Sequence, residues 1–175
     1  TLWHTLSLHD ALPISIYNSR CHDSYGVSWK EPIILTAGRL WDEAKNILAL
    51  EEIAPALSWP VYAAGPKHSP AGGEVLLDNI RSLGRLSSAR LAEWYGRAAI
   101  FALPAVYEPF GLTALEAGLS GCALVLGNIP SLRELWSGAA LFVPPDQPDA
   151  IAKTLEVLIR HPELREQLGC KARKR

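Results

Sequence analysis

Two carboxylates, Glu108 and Glu116, bracket the run Pro-Phe-Gly-Leu-Thr-Ala-Leu, and Gly111 within it precedes a segment with helical character. Carboxylates accept hydrogen bonds from vicinal hydroxyls, while the unpaired N–H groups and positive dipole end of a helix's first turn attract a diphosphate. Together these are the contacts that a sugar nucleotide needs. Gly111 can adopt a positive φ and let a ligand approach the backbone closely. Thr113 followed by Glu116 also reads as a capping box, in which the glutamate returns to the backbone of the cap residue. Glu108, Phe110 and Gly111 have no part in such a cap, yet they crowd the same turn.

A second segment, Gly38-Arg39-Leu40-Trp41-Asp42-Glu43-Ala44-Lys45-Asn46, puts two cations around a helix start for which Asp42 is the cap. Lys45 is then expected in the first turn, where a cation opposes the helix dipole by roughly 0.3–1 kcal/mol. An anionic ligand such as a phosphate reverses that penalty. The same residues also read as a surface ion pair of Arg39 or Lys45 with Asp42 or Glu43, worth about 0–1 kcal/mol.

These segments need a frame to hold them. From Glu31 onward, apolar runs of strand length alternate with helical patterns, the signature of an α/β, Rossmann-like parallel sheet with helices on both faces. Strands are expected at 32–37, 60–64, 79–83, 99–103, 123–126 and 140–143. A helix over 43–57 follows from the spacing of Ile47, Leu50, Ile53, Ala54 and Leu57. Further helices are expected at 88–97 with Ser88 as cap, at 113–119 with Thr113 as cap, from Asp146, Pro148 and Asp149 onward, and at 162–168 ahead of the basic tail 171–175. Ligands of open α/β sheets bind beyond the carboxyl ends of the strands. Gly38 and Arg39 follow the first strand, Gly65 the second, and Pro104 to Glu108 the fourth, so residues chosen for their chemistry fall where the fold places ligands.

Composition narrows the classes. The 175 residues carry a net charge of −1, without the basic excess that binding a phosphate backbone requires, so no nucleic acid partner is expected. The length suits one domain, or one half of a larger enzyme. The longest apolar run, from Ala98 to Tyr107, contains Pro104 and falls short of the roughly 20 residues that span a bilayer, so no transmembrane segment is expected. Cys21, Cys122 and Cys170 are odd in number and far apart, and the five histidines are scattered, which points to neither a disulfide framework nor a metal site. A reducing compartment is the simplest expectation from the cysteines, and a cytoplasmic location is expected with it. The chain opens on Thr1 and contains no methionine, so it reads as a fragment. Residues 1–15 read as non-native adaptor or disordered chain, or as the remnant of a preceding domain. Residues 16–30 read as an interdomain linker remnant and 31–175 as the nucleotide-sugar-binding domain.

The Gly38-Arg39-Leu40 segment, the Glu108 and Glu116 pair with Pro-Phe-Gly inside it, and the following Gly118, Gly121 and Glu134 resemble the C-terminal domain of glycosyltransferase family 4. The similarity covers roughly residues 16–168. Those enzymes are retaining sugar transferases of the GT-B fold, built from two Rossmann-like domains facing across a cleft. The resemblance implies that this half binds a nucleotide-sugar donor through Gly38, Arg39, Lys45, Gly84, Arg85, Leu86, Glu108, Phe110, Gly111, Leu112, Thr113 and Glu116. Arg39 and Lys45 would hold the diphosphate, Glu116 the ribose hydroxyls, and Glu108 the donor-sugar hydroxyls near the reacting carbon. The backbone of Phe110 to Thr113 would touch sugar and phosphate, and Gly84-Arg85-Leu86 would meet the base. By the same resemblance Glu108, Arg39 and Lys45 would form the catalytic group, with Arg39, Lys45 and the helix end stabilising the departing nucleoside diphosphate. No metal and no cofactor are then required.

The same resemblance implies an acceptor, whether glycan, lipid or small molecule, that enters through an N-terminal domain outside this sequence. A lipid acceptor would bring the protein against a membrane surface, and the isolated fragment would bind without turnover. Three positions depart from the family pattern: Arg39 to Lys45 is one residue longer than the commonest spacing, the Gly that usually follows the Lys is Asn46, and the Ser often found after Pro104 is Ala105. A binding-only domain and a GT-B sugar-nucleotide epimerase or hydrolase would share the donor site. A nicotinamide dehydrogenase would need a GxGxxG turn after the first strand, which Gly38-Arg39-Leu40 does not provide.

Overall fold

A computed structural model describes residues 29–175. The expectations for residues 1–15, for most of 16–30, and for His4, His9 and Cys21 lie outside the described residues. Six strands, β1 (Glu31–Ala37), β2 (Val61–Ala64), β3 (Arg81–Gly84), β4 (Ala98–Leu103), β5 (Ala123–Gly127) and β6 (Ala140–Val143), form one sheet in the order β3-β2-β1-β4-β5-β6. Every neighbouring pair is parallel. The chain therefore builds outward from β1 in one direction, returns, and builds outward from β4 in the other. That reversal leaves a crevice at the carboxyl ends of β1 and β4.

The central strands are apolar on both sides because both sides are covered. All six residues of β4 are buried. Ile33, Leu35 and Ala37 of β1 pack into one layer, while Ile34 between them packs into the other. The first layer is closed by α2 (Ser88–Arg97), α3 (Leu112–Leu119) and α4 (Pro130–Trp136), through Tyr95, Ala114, Ala117, Leu132 and Trp136. The second is closed by α1 (Ile47–Ile53) and α5 (Pro148–Arg160), through Ile47, Leu50, Ile53, Ile151, Leu155 and Leu158. The last helix, α6 (Pro162–Lys174), contributes Leu168 to the second layer and Ala172 to the first. Each large side chain so buried contributes about 1.5–3 kcal/mol. Among the described residues no helix is long and apolar enough to cross a membrane.

The elements depart from sequence expectation where a local interaction outcompetes periodicity. The helix expected over 43–57 is three pieces: a 3-10 turn (Glu43–Lys45), α1, and a second 3-10 turn (Ala54–Ala56) containing Pro55. Asn46, at φ 56° and ψ 40°, breaks the first piece from the second. Strand β3 starts two residues later than expected because Glu51 of α1 accepts from the backbone N–H groups of Asp78, Asn79 and Ile80, at 2.7, 2.7 and 3.0 Å. Ser87 rather than Ser88 caps α2, accepting from the Arg90 N–H at 3.3 Å. The seven residues of α4 are too few to show a period, and its start is set by Pro130. The last helix runs on through the basic tail to Lys174 instead of ending at 168: Ala172 is buried, Arg173 donates to the Leu119 carbonyl, and Arg175 donates to the Leu135 carbonyl at 2.7 Å.

Candidate functional site

A cleft of about 330 Å³ opens at the crevice between β1 and β4. Its wall combines Ala37, Gly38 and Arg39 from the end of β1, Lys45 from the 3-10 turn, and the stretch from Glu108 to Thr113 that leads β4 into α3. Two connections far apart in sequence, the one after β1 and the one after β4, thus meet in one place.

Lys45 and Glu108 form its floor. The ammonium lies 2.7 Å from Glu108 Oε2, and the two side chains are only 11% and 14% exposed. The other carboxylate oxygen, Oε1, accepts from the backbone N–H groups of Gly111 and Phe110 at 2.9 and 3.3 Å. Ser131 Oγ donates to the Glu108 carbonyl at 2.5 Å, fixing the backbone of the same residue from α4. Glu108 is therefore held at both ends, a requirement for a carboxylate that must present a fixed face to a ligand.

Arg39 stands at the rim. Its guanidinium donates to Asp42 Oδ2 at 2.6 Å and lies 5.4 Å from the centre of the Trp41 ring, with 59% of the side chain exposed. The surface ion pair weighed from the sequence is thus real for Arg39 and Asp42, whereas Lys45 turns inward to Glu108. Asp42 is also the cap expected of it, accepting from the Ala44 N–H at 3.1 Å. Lys45 does not occupy the first turn of a long helix, however. It ends the 3-10 turn, so the dipole penalty expected there does not arise.

The entry to α3 differs from the sequence expectation as well. Gly111, at φ 83°, is the residue that turns the chain into the helix, two positions ahead of Thr113. The Thr113–Glu116 capping box is consequently not formed, since Thr113 already lies inside the helix. The first intrahelical bond runs from the Leu115 N–H to the Gly111 carbonyl at 3.0 Å. The N–H groups of Leu112 and Thr113 precede that bond, and both residues line the cleft. A buried ammonium, a guanidinium at the mouth and the amino end of a helix converge here, an arrangement suited to a ligand with more than one negative charge.

The family model for Glycosyl transferases group 1 matches residues 22–175. The chain belongs to that family. Among curated relatives, an uncharacterized glycosyltransferase of Methanocaldococcus jannaschii is 32% identical over 94 residues, 53% of this chain and 24% of its own length. The O-antigen chain mannosyltransferase B of Escherichia coli is 40% identical over 73 residues, 42% of this chain and 19% of its own. Among solved structures, Anabaena HepE in complex with UDP-glucose superposes with a TM-score of 0.78 at 16% identity, covering 91% of this chain and 51% of that one. Sucrose-phosphate synthase from Thermosynechococcus elongatus gives 0.76 at 23%, covering 87% and 45%. The chain thus spans at most about half the length of these proteins, and the two structures share its fold.

Within this group 1 transferase domain, the cleft gathers Gly38, Arg39, Lys45, Glu108, Phe110, Gly111, Leu112 and Thr113 of the residues singled out in the sequence. Glu116, half-buried a turn further along α3, is outside its lining, as are Gly84, Arg85 and Leu86 at the carboxyl end of β3. Gly84 is linked to the cleft side through Gly65, whose N–H donates to the Gly84 carbonyl at 2.8 Å. Of the other family-like residues, Gly118 lies in α3 where an added Cβ would come within 3.0 Å of the Trp136 ring, and Glu134 is exposed on α4. Ala37, Pro109, Ser131 and Asn46 were not among the expected site residues. Pro109 lay within the Pro-Phe-Gly run read from the sequence, and Asn46 stood where the resemblance leads one to expect Gly, whereas Ala37 and Ser131 carried no such signal.

Proposed function

We propose that this domain is the donor-binding half of a family 4, retaining glycosyltransferase, taking a sugar from a nucleotide-sugar donor. The observation that carries this is the Lys45–Glu108 pair set beneath the amino end of α3, with Arg39 at the rim, at the reversal point of the sheet. A pyrophosphate in the cleft gives the Lys45 ammonium and the Leu112 and Thr113 N–H groups an anionic partner. Glu108, already fixed by two backbone donors, offers its carboxylate to hydroxyls of the donor sugar. As the bond from the anomeric carbon to the diphosphate oxygen breaks, negative charge grows on the leaving group, where Lys45, Arg39 and the helix end favour it. These positive groups supply the charge stabilisation that a metal would otherwise provide. The acceptor hydroxyl enters on the same face of the sugar from a second domain preceding this one, which supplies the acceptor-side residues. Because HepE was solved with UDP-glucose, uridine nucleotides are the first probes to use.

Calorimetric titration of UDP and GDP into the chain tests this directly: one of them binds, and neither binding would remove the donor-site reading. A finer test concerns Glu116. Glu116→Gln is expected to cost roughly tenfold more affinity for a ribonucleoside diphosphate than for its 2′-deoxy counterpart, because a carboxylate pairs with both ribose hydroxyls. Equal losses for the two would take Glu116 off the ribose. A sugar-nucleotide epimerase would bind the same donor, and product analysis on the two-domain protein separates it from transfer.

A further inference from the structure

The residue after Lys45 holds more of the cleft together than its neighbours. Asn46 sits in the left-handed region at φ 56°, the one described non-glycine residue with positive φ. Asparagine tolerates that conformation better than other side chains. Glycine would satisfy the backbone equally well, but Asn46 adds two bonds that glycine cannot make. Its Nδ2 donates to the Pro104 carbonyl at 3.0 Å and to the Pro145 carbonyl at 2.7 Å. The first carbonyl belongs to the segment between β4 and Glu108, the second to the segment following β6. The first of these segments is also stitched to the turn bearing Lys45 by the Val106 and Tyr107 N–H groups, which reach the Ala44 carbonyl at 3.0 and 3.4 Å.

We infer that Asn46 is a positioning residue: it ties the turn bearing Lys45 to the loop bearing Glu108, and so sets the aim of both charged groups into the cleft. This rests on the donor-site reading for its purpose, although the tie itself does not. Asn46→Gly keeps the backbone conformation and deletes both side-chain bonds, so it isolates the tie from backbone strain. Asn46→Asp also tolerates the left-handed region, but sets a carboxylate against two carbonyl oxygens and should be worse than glycine.

Amide hydrogen exchange on the full chain, without ligand, reads the tie. In Asn46→Gly the Val106 and Tyr107 amides should exchange at least tenfold faster, while the Leu124 amide in β5 is unchanged. Unaltered protection at Val106 and Tyr107 would overturn the inference whatever the ligand. Nucleotide affinity reads the purpose, with UDP as probe. Asn46→Gly should lose about five- to tenfold in Kd in the natural background and nothing further when Lys45→Ala is already present. An equal loss in both backgrounds would show that Asn46 does not act through Lys45. If the unaltered chain binds no nucleotide, the donor-site reading and the positioning purpose fall together, while the exchange comparison still decides whether the tie exists.

Discussion

Lys45→Ala is expected to weaken nucleoside-diphosphate binding about 10- to 100-fold, the largest single loss in affinity from any residue of the cleft. A charge-assisted hydrogen bond to an anion contributes about 1.5–3 kcal/mol, and its loss in a shielded site is little compensated by water. The substitution also leaves Glu108 facing the incoming phosphate without its cation, so repulsion adds to the missing attraction. Lys45→Arg retains the charge on a larger planar group and should recover part of the affinity. Calorimetry with UDP measures the loss, and a thermal melt on the same samples shows whether the fold has survived. An unchanged Kd in a folded Lys45→Ala variant would remove Lys45 from the ligand's path.

The largest effect on stability is expected at a position with no side chain. Gly65 follows β2 at φ 145°, and a Cβ placed on it would lie 1.7 Å from the Gly38 carbonyl oxygen. Neither atom can yield easily, because Gly38 is itself bonded to the Ala64 carbonyl at 3.0 Å and Leu40 to the Pro66 carbonyl at 3.0 Å. Gly65→Ala therefore combines a backbone conformation costly to any L residue with a backbone clash. We expect about 3 kcal/mol of destabilisation, which for a chain of this size corresponds to roughly 6–12 °C in Tm. Because Gly38 and Arg39 line the cleft, the displaced carbonyl should also lower nucleotide affinity. Differential scanning calorimetry gives the first result and titration at low temperature the second. A Tm within a degree or two of the unaltered chain would show that the two strand ends separate freely.

How much of this was legible in the sequence depends on how local each determinant is. The strands were readable because a parallel strand buried on both faces is a continuous apolar run, as in Ala98–Leu103. The parts of the cleft that follow β1 and β4 were readable for the related reason that ligands of such sheets gather at strand ends. The break at Asn46 was not, since Ile47, Leu50 and Ile53 keep helical spacing downstream and residues 43–45 pass for a first turn. Nor was the pairing of charges. Arg39 and Lys45 each had acidic neighbours within a few residues, and only the fold reveals that Arg39 takes Asp42 while Lys45 crosses 63 positions to Glu108. The capping box failed on similar grounds, because a glycine two residues upstream started the helix first. Long-range contacts decided the charge pairing that short-range patterns left divided.

The domain has a second hollow at the amino ends of β1, β4 and β5, lined by Trp29, Lys30, Ala99, Gly121, Gly169 and Arg173 among others. There the Lys30 ammonium donates to the Tyr95 and Ser120 carbonyls at 2.9 and 2.7 Å, and burial lowers its pKa. It places a basic side chain at the wrong end of the sheet for the proposed ligand, which makes this hollow a built-in control. Amide chemical-shift mapping with UDP-glucose on the isotope-labelled chain compares the two ends at once. The largest shifts should fall on Gly38, Gly111, Leu112 and Thr113, with Gly121 and Gly169 silent. Shifts clustered around Gly121 and Gly169, or none at the β1 and β4 ends at saturating ligand, would contradict a donor site at the crevice.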